Sequence, residues 1–225
     1  MPLSRPRIAV VAFPGSNDDR DAALALRLLG ADPVLVWHGD DELPDVHGVV
    51  LPGGFSYGDY LRCGAIARFS PAMRAVARFA AGGGLVLGIC NGFQILCEAS
   101  LLPGVLRANA SLEFVCRDVP VGVERADLPF TARCEPGQRL TIPIKCGEGA
   151  WYGEVADEQV VLRYIGGNPT GALDGVAGVC NEDGNVMGLM PHPEHAVDPM
   201  LGSTDGALIL GSLVDAARER VAVSI

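Results

Sequence analysis

Short apolar runs alternate with helical patterns through the first half of the chain. The runs are nearly continuous in aliphatic side chains, as in strands that are buried on both faces of a parallel sheet. They lie at residues 8–13, 33–37, 48–51 and 85–89. The first helical pattern ends near residue 29, and two others lie at 71–81 and 92–99. This alternation predicts an α/β fold with an open, mostly parallel sheet and helices on both faces.

The first helical pattern begins with polar residues. Ser16 or Asn17 is in position to cap the helix, because hydroxyl and amide oxygens accept hydrogen bonds from the free N–H groups of a first turn. Asp18, Asp19 and Asp21 complement the positive end of the helix dipole. We therefore expect the helix to begin directly after these turn residues.

The second half of the chain loses the alternation. Its strand candidates are short and are joined by turns of glycine, asparagine, aspartate and proline, which favours antiparallel pairing. They lie at residues 114–123, 139–144, 160–164, 176–180 and 186–190, with a closing helix at about 204–220. Glycine and proline are spread along the chain rather than gathered into a linker, so we expect one domain over residues 1–225.

Composition and charge exclude several kinds of partner. Of the 225 residues 49% are hydrophobic, the formal net charge is −10, and Lys145 is the single lysine. The chain therefore lacks a basic patch for nucleic acid and a polybasic tether for a membrane. No apolar run reaches the roughly 20 residues of a spanning helix, and the N-terminal apolar stretch is broken at Pro14-Gly15. We expect a cytoplasmic protein without a membrane or nucleic-acid partner.

The cysteines indicate neither a disulfide framework nor a metal site. There are seven, an odd number, and no two are spaced as C-x-x-C. A core of this size does not depend on cross-links. We expect most of the cysteines to be buried thiols and no metal to be bound.

One cysteine lies in a setting that the other six lack. Cys90 stands between the apolar strand at 85–89 and the helix at 92–99, with Gly88 and Gly92 two residues before and after it. Glycine at those places permits the sharp turn of a nucleophile elbow, which presents the side chain above the sheet edge. The helix N-terminus favours the thiolate. Cys90 is the predicted nucleophile, and the alternative is a buried structural thiol.

A histidine and a glutamate late in the chain supply what such a nucleophile needs, an imidazole that moves protons and a carboxylate that orients it. His192 and Glu194 follow the strand candidate at 186–190, and the flanking prolines predict an extended segment. Residues two apart then project to one side, so Glu194 is predicted to contact His192 while His195 points away. The alternative is a proline-stiffened surface loop.

Two adjacent glycines follow the strand at 48–51. Such glycines bring backbone N–H groups close to a developing oxyanion, so Gly54 and the N–H of Asn91 are the predicted donors, with Gly53 beside the substrate. Alone, this glycine pair is typical of an ordinary loop, and it gains weight from the elbow and the His-Pro-Glu segment. No G-x-x-x-x-G-K stretch occurs, so the sequence shows no nucleoside triphosphate site.

These motifs carry a resemblance to a known family. In chain order, the Gly-Gly loop, the Gly-Ile-Cys-Asn-Gly elbow and the His-Pro-Glu segment resemble the class I, or triad, glutamine amidotransferases. Phe-Ser-Tyr-Gly-Asp at 55–59 and Cys-Asn-Gly-Phe-Gln at 90–94 are similar to the glutaminase subunits of phosphoribosylformylglycinamidine synthase in particular. The resemblance covers nearly the whole chain and implies a flavodoxin-like fold.

The resemblance also implies a reaction and partners. Cys90 attacks the side-chain amide of glutamine, His192 transfers protons and Glu194 orients His192, which yields glutamate and ammonia. Gln94 is a candidate substrate contact, with a helix cap or core polar group as its alternative. The ammonia passes to a large synthetase subunit, which uses ATP and Mg²⁺ to make formylglycinamidine ribonucleotide, and a small third subunit helps assembly. This chain needs no cofactor, and it is expected to have low activity alone.

Two positions depart from the family pattern. Relatives usually carry arginine after His-Pro-Glu, where this chain has His195, and histidine before Gly-Glu-Gly, where it has Cys146. Neither position belongs to the predicted triad. No role is carried over to either residue.

Three other functions fit parts of the pattern. The same triad would serve the glutaminase subunit of another complex, such as one for carbamoyl phosphate or anthranilate synthesis. A cysteine hydrolase that needs no partner is compatible with a similar sheet. A catalytically silent assembly subunit would keep the fold without the chemistry.

Overall fold

The computed structural model describes residues 5–223, and in this part of the chain nine strands form one sheet. In chain order they are β1 (Arg7–Ala12), β2 (Asp32–Trp37), β3 (Gly48–Leu51), β4 (Leu85–Ile89), β6 (Val115–Val123), β7 (Arg139–Cys146), β9 (Val160–Tyr164), β10 (Val176–Cys180) and β11 (Val186–Leu189). The remaining strands, β5 (Val105–Arg107) and β8 (Ala150–Tyr152), pair with each other as a small antiparallel sheet. The order across the large sheet is β2-β1-β3-β4-β11-β10-β9-β6-β7.

Five neighbouring strands, from β2 to β11, pair in parallel. Every residue of β3, β4 and β11 is buried, which explains why their sequences are apolar without alternation. The predicted parallel sheet is confirmed. Because β11 comes from the end of the chain and inserts beside β4, the centre of the sheet joins segments about a hundred residues apart.

The other half of the sheet is antiparallel. Strands β10, β9, β6 and β7 continue from β11 in antiparallel pairs, as the turn-rich second half predicts. Strand β7 shows the alternation of a sheet with one covered face: Leu140, Ile142, Ile144 and Cys146 are buried, and the residues between them are more exposed. The antiparallel extension is therefore confirmed.

Four helices cover the sheet. They are α1 (Asp19–Leu28), α2 (Pro71–Ala81), α3 (Asn91–Glu98) and α4 (Gly206–Val223). Helix α1 packs with α4, whereas α2 and α3 pack on β4, on the other face, as right-handed crossovers from a parallel strand require. Of the helices within residues 5–223, none has the length and apolarity that crossing a bilayer needs.

The cap of α1 differs from the expectation. Neither Ser16 nor Asn17 occupies the N-cap, which is Asp18, and the side chain of Asp18 makes no capping bond. The hydroxyl of Ser16 instead accepts a hydrogen bond from the N–H of Phe13 at 2.9 Å, which ties the turn back to the end of β1. The side chain of Asp18 is therefore left free for other contacts.

Candidate active site

The turn between β4 and α3 has the geometry of a nucleophile elbow. Cys90 has φ +48° and ψ −102°, a strained conformation for a residue with a side chain. A Cβ at Gly88 would lie 2.5 Å from the side chain of Leu96, and a Cβ at Gly92 would collide with the carbonyl oxygen of Leu51. Helix α3 thus approaches the sheet so closely that both positions require glycine, as the sequence predicts.

Strand pairing brings the segments of the predicted triad to one edge of the sheet. Ile89 lies opposite Leu189 in the parallel pair of β4 and β11, and the N–H of Cys90 donates to the carbonyl of Leu189 at 2.8 Å. His192 follows Leu189 by three residues. Both side chains therefore begin at the carboxyl ends of adjacent strands, where α/β sheets bind ligands.

Strand β7 lines the same edge from the antiparallel half. The carbonyl of Pro143 accepts from the N–H of His192 at 2.8 Å, and the carbonyl of Lys145 accepts from the Cys90 thiol at 3.7 Å. The backbone of β7 thus binds the backbone N–H of His192 and the side chain of Cys90. The site is consequently built from both halves of the sheet.

The imidazole of His192 is held by a carboxylate. Its Nδ1 lies 2.7 Å from Oε1 of Glu194, and both side chains are buried. Because a carboxylate only accepts, Nδ1 carries the proton whenever the ring is neutral, and Nε2 then keeps its lone pair. In the described part of the chain, Nε2 is buried and has no hydrogen-bond partner. The ring is therefore arranged as a general base.

The path of the chain around His192 differs from the expectation, although the predicted contact with Glu194 is confirmed. Residues Pro193–His195 form a turn of 3₁₀ helix, not an extended segment. Residues three apart eclipse one another in such a turn, so His195 returns to the same side as His192. The two ring centres are 5.6 Å apart, and the prediction that His195 points away is wrong.

A carboxylate that sequence reasoning assigned only to a helix dipole also belongs to this cluster. Asp18 is 4% exposed, and its Oδ2 lies 3.7 Å from Nδ1 of His192. Its Oδ1 accepts from Nζ of Lys145 at 2.5 Å and lies 3.2 Å from Nε2 of His195. The signal that could have found this contact is Lys145, a lone lysine within an alternating strand.

The cluster shifts the pKa values of two of its members. Burial raises the pKa of Asp18, but the hydrogen bonds from His195 and Lys145 and the charges of His192 and Lys145 outweigh burial and hold it well below its usual range. The pKa of His195 is raised, because the hydrogen bond to the Asp18 carboxylate outweighs the opposing effect of burial. Asp18 is therefore a carboxylate at neutral pH.

The surroundings of Cys90, the predicted nucleophile, favour its neutral thiol. Burial raises the pKa of Cys90 well above its ordinary value, and Cys146, Glu194 and Asp18 add to the rise. The backbone N–H of Asn91, at the helix N-terminus, acts in the opposite direction but is outweighed. The expected effect of the helix end is therefore present, but burial of Cys90 beside other acidic groups outweighs it and favours the neutral thiol. Cys90 consequently needs a base.

The backbone around the two glycines suits the predicted oxyanion donors. The carbonyl of Gly53 accepts from the N–H groups of Asn17 and Asp18, each at 3.2 Å. In a trans peptide the N–H of Gly54 points the opposite way, away from that helix start. Asn91 is the first residue of α3, so its N–H has no acceptor within the helix. The oxyanion roles of Gly54 and Asn91 remain predictions.

Gly53 has a steric reason to be glycine. A Cβ at this position would collide with Oδ2 of Asp18 and lie 2.6 Å from Cε1 of His192. The missing side chain permits the approach of the carboxylate to the imidazole. The predicted contact of Gly53 with substrate is a separate matter and stays a prediction.

Gln94 connects three parts of the site. Its amide oxygen accepts from Nδ2 of Asn91 at 2.8 Å, and its amide nitrogen donates to the carbonyl of Glu148 at 2.7 Å. Oδ1 of Asn91 in turn accepts from the N–H of Ser56 at 3.1 Å. The buried amide thus serves as the core polar group that the sequence left open as an alternative, and its role as a substrate contact stays a prediction.

The site also contains potential metal ligands. Asp18, His192, Glu194 and His195 each offer one ligand atom, and these atoms lie within 4.8 Å of one another. The ammonium of Lys145 already contacts Oδ1 of Asp18. A cation would therefore compete with that ammonium for the same oxygen. The expectation that the chain works without a metal stays a prediction.

The side chains of the predicted triad are almost entirely buried. Cys90, His192 and Glu194 are 5%, 1% and 3% exposed. A cleft of about 800 Å³ lined by Arg62, Arg68 and other residues contains none of the predicted site residues. The thiol and the imidazole thus have little contact with solvent in this conformation.

Comparison with known proteins agrees with this geometry. A family model described as a CobB/CobQ-like glutamine amidotransferase domain matches residues 5–205. Phosphoribosylformylglycinamidine synthase subunit PurQ of Rubrobacter xylanophilus is 55% identical over 219 residues, which cover 94% of this chain and 99% of that protein. The chain belongs to the PurQ family. The PurQ subunit of Gloeobacter violaceus is 53% identical, over 94% of this chain and 98% of its own.

Solved structures share the fold of this PurQ-family chain. A chain in the structure of PurLQS from Thermotoga maritima superposes with a TM-score of 0.90 at 47% identity, covering 94% of this chain and 99% of that one. A putative GMP synthase subunit from Thermoplasma acidophilum has a TM-score of 0.72 at 18% identity, covering 98% of each chain, and this likeness concerns the fold alone.

The close packing of the elbow predicts that a methyl group added at Gly92 strongly lowers the stability of the protein. Gly92→Ala places a Cβ against the carbonyl oxygen of Leu51 inside a buried sheet, and we expect it to lower the free energy of unfolding by at least about 2 kcal/mol. Gly82→Ala is the matched control, because its Cβ would meet neighbours at 3.5 Å, an ordinary contact. Denaturant unfolding checks this, and equal stabilities would contradict it.

The raised pKa and burial of Cys90 predict slow alkylation. Cys116 is exposed and the other six cysteines are buried. With limiting iodoacetamide near pH 7.5, we expect the isolated chain to be labelled at Cys116 at least about tenfold faster than at Cys90. Peptide mass spectrometry measures both rates, and Cys116→Ser removes the competing site. Faster labelling of Cys90 would show that the thiol is accessible and ionised.

Proposed function

We propose that this chain is the glutaminase subunit of a phosphoribosylformylglycinamidine synthase. It hydrolyses glutamine to glutamate and ammonia and supplies the ammonia to a synthetase that converts formylglycinamide ribonucleotide to formylglycinamidine ribonucleotide in purine biosynthesis. The observation that carries the proposal is the buried hydrogen bond from His192 to Glu194 beside the Cys90 elbow, in a chain that is 55% identical to a PurQ subunit.

In the first half of the proposed reaction the thiol becomes a nucleophile. Nε2 of His192 takes the proton of Cys90 as the sulfur attacks the amide carbon of glutamine, and the carbonyl oxygen becomes an oxyanion. The backbone N–H groups of Gly54 and Asn91 donate to that oxyanion. His192 then gives its proton to the amide nitrogen, so ammonia leaves and a thioester on Cys90 remains.

In the second half water releases the product. Nε2 of His192 takes a proton from water, and the resulting hydroxide attacks the thioester carbon. The carbon–sulfur bond breaks, glutamate leaves and the proton returns to Cys90. Throughout, Glu194 keeps the proton on Nδ1, so Nε2 is the atom that exchanges protons with the reactants.

The proposal includes partners, location and domain organisation. The synthetase is a large subunit that uses ATP and Mg²⁺, with a small third subunit in the complex, and this chain itself needs no cofactor. The name of the Thermotoga maritima complex, PurLQS, supports an assembly of this kind. We place the protein in the cytoplasm as one domain over residues 1–225. Its seven free cysteines suit a reducing compartment.

Removal of the thiol tests the proposal directly. In the complex with its synthetase, Cys90→Ala should lower glutamine-dependent amidine synthesis by roughly 10³-fold or more, because no covalent intermediate forms. Synthesis from free ammonia should continue at the wild-type rate. Cys116→Ser, at an exposed thiol, should leave both rates unchanged. Full glutamine-dependent activity of Cys90→Ala would rule out the proposed nucleophile.

Burial of the predicted triad leads us to expect dependence on the partner. Since the thiol and the imidazole are almost entirely buried, the isolated chain should hydrolyse glutamine at least about tenfold more slowly than the assembled complex with its substrates. Release of glutamate measures both rates. Comparable turnover with and without the synthetase would show that glutamine enters without the partner.

A further inference from the structure

A second carboxylate faces the imidazole that the proposed triad uses. Oδ2 of Asp18 lies 3.7 Å from Nδ1 of His192, beyond hydrogen-bond distance but within the range of an ion pair, while Glu194 makes the direct bond. We propose that Asp18 is a positioning residue of the glutaminase reaction, which places a second negative charge beside His192 and stabilises the imidazolium formed when Cys90 gives up its proton. This inference rests on the proposed function.

The position of Asp18 is built by the fold. Its backbone N–H donates to the carbonyl of Gly53, and its carboxylate forms hydrogen bonds with Lys145 and His195. The absence of a side chain at Gly53 makes room for both the carboxylate and the ring of His192. Gly53 and the predicted oxyanion donor Gly54 are neighbours in one loop. That loop therefore fixes the position of the Asp18 carboxylate relative to the donor.

The charges around Asp18 determine how its carboxylate acts on His192. The titratable and charged groups that face one another here are the carboxylates of Asp18 and Glu194, the ammonium of Lys145, the imidazoles of His192 and His195, and the thiols of Cys90 and Cys146. Lys145 and His195 contact one oxygen of Asp18, Oδ1, and the other oxygen is the one nearest His192. Part of the negative charge therefore remains directed at the imidazole.

Removal of Asp18 and removal of Lys145 should shift the pH profile of the reaction in opposite directions. Removing the carboxylate takes a negative charge from the site, which makes every neighbouring group lose its proton at lower pH. Removing the ammonium leaves the carboxylate less neutralised and has the reverse effect. A pair that only stabilised the fold would lower activity in both variants without opposite movements of the pH profile.

The experiment measures the pH profile of glutamine-dependent kcat/KM in the assembled complex. Asp18→Asn should lower the maximum about tenfold, mainly in kcat, and move both limbs to lower pH by about one unit. Lys145→Gln should move both limbs to higher pH. The double variant should restore the wild-type limbs to within a few tenths of a unit.

Controls separate this inference from folding and from the proposed function. Asp127→Asn breaks an exposed ion pair with Arg125 and should leave the profile unchanged. The ammonia-dependent rate reports assembly for each variant, and the double variant tests the site without a buried unpaired charge. Limbs that do not move, or that move the same way in both single variants, would overturn the role of Asp18. Full activity of Cys90→Ala would instead overturn the proposed nucleophile, and a wild-type complex without glutamine-dependent synthesis would overturn the proposed function itself.

Discussion

The site depends on the parallel pairing of β4 with β11. These strands are about a hundred residues apart in sequence, yet they lie side by side in the centre of the sheet with every residue buried. Their carboxyl ends deliver Cys90 and His192 to one edge. A slip in this register would bring a side chain to the place of Gly188, where a Cβ would collide with the ring of Phe93, so close packing fixes the placement of the histidine segment.

Around that edge the structure keeps several charges away from water. Isolated buried charges are costly, and they are tolerated here because each has a partner: Glu194 faces His192, and Asp18 faces Lys145 and His195. The single lysine of the chain is thus used beside a buried carboxylate. A thiolate at Cys90 would have no comparable cation until His192 accepts its proton, which agrees with the raised pKa of the thiol.

Much of the fold could be predicted from the sequence, because buried parallel strands and a glycine-flanked cysteine leave local patterns. The strand at Gly48–Leu51 and the helix at Pro71–Ala81 have the predicted bounds. The pair of β5 and β8 was missed, since three-residue strands show no alternation. The contacts of Asp18 were missed for a different reason. They join Asp18 to residues 127 and 177 positions away, and the lone lysine was the single hint of them in the sequence.

Prediction from sequence has a second limit: it does not show which of two opposed effects is the stronger. The conformation of the histidine segment and the pKa of Cys90 are examples. Proline on both sides of His192 favours an extended chain, but the segment turns, and that turn brings His195 to Asp18. A helix N-terminus favours a thiolate, but burial of Cys90 is the stronger effect. Because burial is the largest cause of the raised pKa, a movement that admits glutamine and water also makes the thiol easier to ionise. Greater access of solvent to the site and easier ionisation of the predicted nucleophile are therefore physically coupled.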